Sequence, residues 1–118
     1  MQLTTKKFIL TILIFTLAIA SVFSQEKKDA LKLYRNGDYA EAIKVCLQEI
    51  EEKPNNMDSY VVLCWSLVKN KQYSEAELWA KKGREISSYD QRIIEILGEA
   101  KYYLGKNSEA LSLFQEYI

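Results

Sequence analysis

The sequence repeats with a period of 34 residues, and this period constrains the fold more than any other feature of the chain. Shifting the sequence by one period superimposes chemically similar residues along nearly all of residues 25–118. The clearest registers are Ala42 with Ala76 and Ala110, Glu41 with Glu75 and Glu109, and Ala30 with Cys64 and Gly98. A fixed period of this length is typical of proteins built by stacking one supersecondary unit on the next.

Each period contains two apolar stripes with the spacing of amphipathic helices. In the second period one stripe runs from Tyr60 to Leu67 and the other from Tyr73 to Gly83. Two helices per period follow, because apolar residues three or four positions apart lie on one face of a helix. The sequence therefore predicts an all-α fold, an α-solenoid of stacked antiparallel helical hairpins.

Short polar segments separate the stripes. Within a period, glycine or asparagine is suited to the left-handed conformation that ends a helix. These segments are Asn36-Gly37-Asp38, Asn70-Lys71-Gln72 and Gly105-Lys106-Asn107. Between periods, residues 53–56, which contain the single proline, and residues 87–90 interrupt the pattern. Ser74 with Glu77 has the spacing of a capping box at the start of a helix.

Small residues recur where the two helices of each predicted hairpin cross. We expect them to allow a close approach of the helices, since larger side chains at a crossing would splay the pair. The predicted pairs are Ala30 with Ala42, Cys64 with Ala76, and Gly98 with Ala110.

Several stretches resemble the tetratricopeptide repeat (TPR) family. They are residues 34–43 (YRNGDYAEAI), residues 63–67 (LCWSL), Leu97-Gly98, Leu104-Gly105 and Glu109-Ala110-Leu111. The resemblance covers about residues 23–118 in three copies, at about 23–56, 57–90 and 91–118. It implies a non-catalytic module that binds another protein or a peptide segment, and it leaves the ligand open.

The resemblance also implies that the first helix of each copy lines a concave groove with Trp65 in its middle. Arg35, Asp58 and Tyr103 fall on the same side, and Lys27 and Arg92 flank the groove, where they can hold an acidic group. The predicted groove residues are Lys27, Leu31, Tyr34, Val61, Trp65, Val68, Lys69, Arg92, Glu95, Glu99 and Tyr102.

Some members of the family clamp the carboxyl tail of a cytosolic chaperone with lysine, arginine and asparagine side chains. In this sequence Lys27 and Arg92 match that set, whereas Leu31, Val62 and Ile96 stand at its other positions. The resemblance therefore does not extend to that specificity. Apolar groove walls favour an extended or helical peptide with a hydrophobic anchor.

Residues 1–24 read as an export signal. Lys6 and Lys7 precede the apolar run 8–20, and Ser24 is a small residue suited to cleavage. The run 8–23 is shorter than the ~20 residues of a membrane-spanning helix, so an uncleaved anchor is the alternative. We expect export to the periplasm or cell envelope of a bacterium, with membrane association only if the segment is retained.

Composition excludes several classes of function. Lys and Arg number 16, as do Asp and Glu, and the two signs alternate along the chain, so no nucleic-acid surface is expected. The chain has no histidine and four scattered glycines, so we predict no enzyme activity, no cofactor and no metal site. Cys46 and Cys64 are either small packing residues or, after export, a disulfide.

The carboxyl end carries apolar residues that no further helix covers in the sequence. Either this end is an interface, such as that of a homodimer, or the chain is a truncated fragment. The candidate interface residues are Leu111, Phe114, Tyr117 and Ile118, and Leu113 lies among them. The sequence thus predicts an adaptor or assembly factor. Self-association through the last helix and a membrane-tethered subunit are the alternatives.

Overall fold

The computed structural model describes residues 28–117 of the chain, without the side chain of Tyr117. This part consists of helices and short connections and contains no strand, which confirms the all-α expectation for it. The helices are α1 (Ala30–Arg35), α2 (Tyr39–Glu52), α3 (Met57–Lys69), α4 (Tyr73–Ile86), α5 (Gln91–Tyr103) and α6 (Asn107–Tyr117). None of the helices in residues 28–117 is long and apolar enough to cross a membrane. The predicted signal segment, residues 1–24, lies outside the described residues.

The helices pack as a stack of hairpins. Each helix contacts the next one in sequence, and in addition α1 contacts α3 and α3 contacts α5. The helices α1, α3 and α5 therefore form one row, which we call the inner row. Its central member, α3, packs on both sides and is buried along most of its length, from Ser59 to Val68 with Trp65 partly exposed.

Three connections within hairpins share one backbone conformation. Gly37, Lys71 and Gly105 have positive φ angles of 83°, 61° and 79° and are spaced by the 34-residue period. In the second turn, Gln72 N–H bonds to the carbonyl of Leu67 and Lys71 N–H to that of Val68, as in a Schellman motif. The left-handed residue of that turn is Lys71 and not Asn70. The turn geometry that the three hairpins share places the positive φ angle at this position of the period, and in the second hairpin a lysine occupies it.

The first helices of the hairpins have side-chain caps, whereas α2 and α4 have none. Asp29, Asn56 and Asp90 accept hydrogen bonds from backbone N–H groups at the starts of α1, α3 and α5. The predicted capping box of Ser74 and Glu77 is wrong, since α4 begins at Tyr73 after an uncapped Gln72. The interruptions at 53–56 and 87–90 do end helices, as the sequence predicts.

The small residues of the three registers are all buried in the structure. Ala42, Cys64 and Ala76 are wholly inaccessible, and the Cys64 thiol lies 3.9 Å from the carbonyl oxygen of Ala76. Ala30, Gly98 and Ala110 are also buried. A Cβ atom at Gly98 would lie 2.8 Å from Cε1 of Phe114, so this glycine leaves room for an aromatic ring of α6.

A cluster of charged side chains joins the second hairpin to the third. Glu77 on α4 accepts hydrogen bonds from Lys101 Nζ at 3.2 Å and from Lys106 Nζ at 2.9 Å. Lys101 is 7% exposed and also lies 3.5 Å from Glu109 on α6, while Lys81 lies 3.6 Å from Glu77. Burial alone would raise the pKa of Glu77, but the hydrogen bonds from Lys106 and Lys101 outweigh it and hold the pKa below its usual value of 4.5.

The last helix is amphipathic and packs against α5, and Arg84 on α4 donates a hydrogen bond of 2.6 Å to Glu116 near its end. Leu113 is buried, contrary to the expectation that it is left uncovered, and Phe114 is half-buried against Gly98. Leu111 is 59% exposed. The side chain of Tyr117 and the whole of Ile118, two of the predicted interface residues, lie outside the described part.

Candidate functional site

A cleft of about 420 Å³ opens on the inner row, between α1 and the first half of α3. Its floor and walls mix aliphatic and aromatic side chains with charged groups at the rim. The lining residues are Asp29, Ala30, Leu31, Arg35, Glu49, Asn56, Asp58, Ser59, Val61, Val62, Trp65 and Arg92. Residues from four helices, α1, α2, α3 and α5, therefore meet at one concave place.

Trp65 is held in place by neighbouring aromatic rings. Its ring stacks on that of Tyr34, with centroids 5.7 Å apart and planes 30° apart. Tyr34 in turn contacts Tyr39 of α2 at 5.8 Å. Since Trp65 is half-buried, one part of its surface packs in the core cluster and the rest faces the cleft. A stiff aromatic side chain fixed in this way offers contact area at a small entropic cost.

Arg92 is held by two carboxylates of the protein itself. Its guanidinium forms a two-pronged pair with Asp90, with N–O distances of 3.1 and 2.8 Å, and donates to Asp58 on α3 at 2.9 Å. Hydrogen bonding to Asp90 and to Asp58 raises the pKa of Arg92 above its ordinary value, and the same bond from Arg92 lowers the pKa of Asp90. These bonds use three of the five N–H donors of Arg92, so Asp58 and Asp90 meet its charge within the protein. The expectation that Arg92 also holds an acidic group of a ligand stays a prediction.

The cleft brings together a subset of the predicted groove residues. Leu31, Val61, Trp65 and Arg92 line it, and Tyr34 contacts it through Trp65. Val61 and Val68 are 1% and 8% exposed, so they pack mainly inside the helix row. Besides Tyr34, the predicted residues that do not line this cleft are Val68, Lys69, Glu95, Glu99 and Tyr102. Lys27 lies outside the described residues.

A second aromatic group lies at the other end of the inner row. Tyr103 stacks on Tyr73 of α4 at 4.6 Å, and Tyr102 meets Tyr103 edge-on at 5.6 Å. Tyr102 and Tyr103 are both more than half exposed. These tyrosines lie apart from the cleft, as its lining contains none of them.

Glu49 and Asn56 line the cleft although sequence reasoning did not include them in the groove. Glu49 belongs to α2, a second helix, and its Oε2 accepts a hydrogen bond of 2.7 Å from Ser59 Oγ on α3. Only the four residues 53–56 connect α2 to α3, so the last turn of α2 lies beside the first turn of α3. The short connection between the two predicted helices is the sequence feature from which the position of Glu49 at the cleft could have been predicted.

The two cysteines are free and buried and lie away from the cleft lining. Burial raises the pKa of Cys46 to about 12, with a smaller contribution from Glu49, and raises that of Cys64 to about 12 as well. Both thiols are therefore protonated at neutral pH, where a thiolate nucleophile would be required for covalent chemistry. Within residues 28–117 no three His, Cys, Asp or Glu side chains are grouped closely enough to hold a metal ion.

No protein-family model matches the chain, and a search of the curated proteins finds no match. Solved structures with the same arrangement of helices do match. The second TPR of Spaghetti (RPAP3), bound to the HSP90 peptide SRMEEVD, has a TM-score of 0.74 and 22% identity over 77% of this chain and 84% of that one. The first TPR of the same protein, bound to the same peptide, has a TM-score of 0.74 and 20% identity over 77% and 72% of the two chains. The fold of the described helices is therefore TPR-like.

Proposed function

We propose that this protein is a non-catalytic interaction module that binds a peptide segment of another protein along its inner row. The observation that carries the proposal is the half-buried Trp65, fixed by Tyr34 at the wall of a cleft of about 420 Å³. The two TPR domains of similar fold are each bound to a peptide, which supports the same use of the fold here.

The size and lining of the cleft favour one apolar side chain of the ligand as an anchor. Leu31, Val62 and Trp65 supply aliphatic and aromatic surface on its sides. Burying one large apolar side chain contributes about 1.5 to 3 kcal/mol, and a few such anchors carry most of the binding energy of an interface. A segment with a leucine or aromatic residue at its centre fits this description.

Replacing Trp65 with alanine is expected to weaken peptide binding by about 30-fold, since a central tryptophan typically contributes 2 kcal/mol or more. The ligands are peptides selected from a random library on the purified protein, and affinities are measured by calorimetry. Trp79→Ala is the matched control, because Trp79 lies on α4, contacts Tyr60 and Lys82, and does not line the cleft. Equal losses in the two variants would show that the peptides bind elsewhere.

We further propose that the module acts as an adaptor or assembly factor in the periplasm or cell envelope of a bacterium. The support is the sequence of residues 1–24, with two lysines before an apolar run and a small residue at its end. Amino-terminal sequencing of the protein isolated from cells should begin at Gln25. A chain that still begins at Met1 would favour the membrane-tethered alternative.

Self-association through α6 is a second candidate function, and the exposed Leu111 favours it. Leu111 is a better probe than Phe114, which packs on Gly98 and whose replacement would also disturb the fold. If the protein and its Leu111→Glu variant are both monomers by light scattering, this candidate is excluded.

A further inference from the structure

We propose that the cleft beside Trp65 selects a peptide segment carrying lysine or arginine next to its apolar anchor. This inference rests on the proposed peptide-binding function and adds the charge of the ligand to it. The recognised occupant is thus a basic-apolar segment of a partner protein.

The rim of the cleft carries three carboxylates from three different elements. Asp29 precedes α1, Glu49 lies near the end of α2, and Asp58 lies in the first turn of α3. All three line the same cleft. The side chain of Asp58 is 77% exposed, so one of the charges is presented directly to a ligand.

The arginines of the cleft do not cancel these charges. The charge of Arg92 is balanced by Asp90, with which it forms the two-pronged pair. Arg92 also donates to Asp58, and the three side chains together carry one net negative charge. Arg35 is the other basic residue of the lining. Counting Asp90 with the lining, four carboxylates face two guanidinium groups, and two negative charges remain.

The hydrogen-bonding groups of the rim favour a basic ligand, as its charge does. Ionised carboxylates only accept hydrogen bonds, whereas ammonium and guanidinium groups only donate them. Glu49 accepts from Ser59 at 2.7 Å and is half-buried, where a charge pair is less screened by water than on an open surface. A guanidinium next to the anchor can also stack on Trp65, since arginine packs on aromatic faces. An acidic segment would instead meet an excess of like charge in the lining.

The test uses three fluorescein-labelled peptides with one apolar anchor and different flanks: GSRLWRSG, GSQLWQSG and GSELWESG. Fluorescence anisotropy with the purified protein is measured at low and at high salt. We expect the basic peptide to bind about tenfold more tightly than the acidic one, with the neutral peptide between them, because partly exposed pairs each contribute up to about 1 kcal/mol. High salt should reduce this preference.

Variants assign the preference to the cleft. Asp58→Asn combined with Glu49→Gln should reduce the basic-to-acidic ratio to about threefold or less and leave the neutral peptide unaffected, as two charges of the rim are removed while Gln can still accept from Ser59. Glu85→Gln, at an exposed site on α4, is the control and should change nothing. Thermal unfolding confirms that each variant is folded.

The outcomes separate this inference from the function on which it rests. Equal affinities for the three peptides, all reduced by Trp65→Ala, would overturn the charge preference and keep the peptide-binding function. A preference for the acidic peptide, or a basic preference that survives the double substitution, would also overturn it. If none of the three peptides binds, both proposals fail.

Discussion

Replacing Glu77 with alanine should lower the free energy of unfolding by about 2 to 4 kcal/mol, because it removes one partner of a nearly buried ion pair. Glu77 is 13% exposed, and its partner Lys101 is 9% exposed in its side chain. Removing the carboxylate leaves the nearly buried ammonium group of Lys101 with Glu109 as its one carboxylate neighbour among residues 28–117, 3.5 Å away and 61% exposed. A charge left behind in this way costs more than the ion pair contributed while it was intact.

Urea unfolding followed by circular dichroism measures this loss. Glu85→Ala on the same helix is the matched control, since Glu85 is exposed, and its replacement should cost less than about 0.5 kcal/mol. Similar losses in both variants would show that the Glu77 cluster adds nothing specific to stability.

The same cluster makes a prediction about pH. Because folding lowers the pKa of Glu77, its contribution to stability is present above the usual value of 4.5 and is lost as the pH falls through the folded-state value. The free energy of unfolding of the protein and of Glu77→Gln should therefore differ at pH 7 and converge as the pH falls below 4.5 and through the lowered folded-state value. A difference that stays constant between these pH values would contradict the assignment.

Replacing Ala76 with leucine should cost about 1 to 3 kcal/mol of stability through overpacking. Ala76 is wholly inaccessible, and the thiol of Cys64 on α3 lies against its carbonyl group, so three added carbons have no space unless α3 and α4 separate. The control is Ala40→Leu, the same change at an exposed position of α2. Thermal melts of the two variants check the prediction. An unchanged melting temperature for Ala76→Leu would mean that the crossing of α3 and α4 accommodates a larger side chain.

The 34-residue period was enough to predict the helices and their turns. Gly37 and Gly105 have the left-handed conformation, and Lys71 has it as well, because position in the period decides the conformation even where the residue type disfavours it. The burial of the small-residue registers also follows from the period, since equivalent positions in stacked units have equivalent surroundings.

Contacts between units were only partly accessible to sequence reasoning. Asp58 and Arg92 are one period apart, so they occupy equivalent positions of neighbouring hairpins, and their opposite charges could have indicated the pair. Lys101, which sequence reasoning did not single out, is buried, because Glu77 on another helix accepts a hydrogen bond from its ammonium group. The direction of a long side chain across two hairpins depends on packing that no local pattern records.

The position of α3 between α1 and α5 has a consequence for how the array comes apart. Helix α3 packs against helices on both sides, whereas α6 packs against α5 and is joined to α4 by the exposed ion pair of Arg84 with Glu116. In a linear array the coupling between adjacent units sets local opening, so α6 should open more readily than the doubly supported α3. Amide hydrogen exchange should accordingly be faster in α6 than around Leu63, so the wall of the cleft that α3 supplies lies on a slowly exchanging segment.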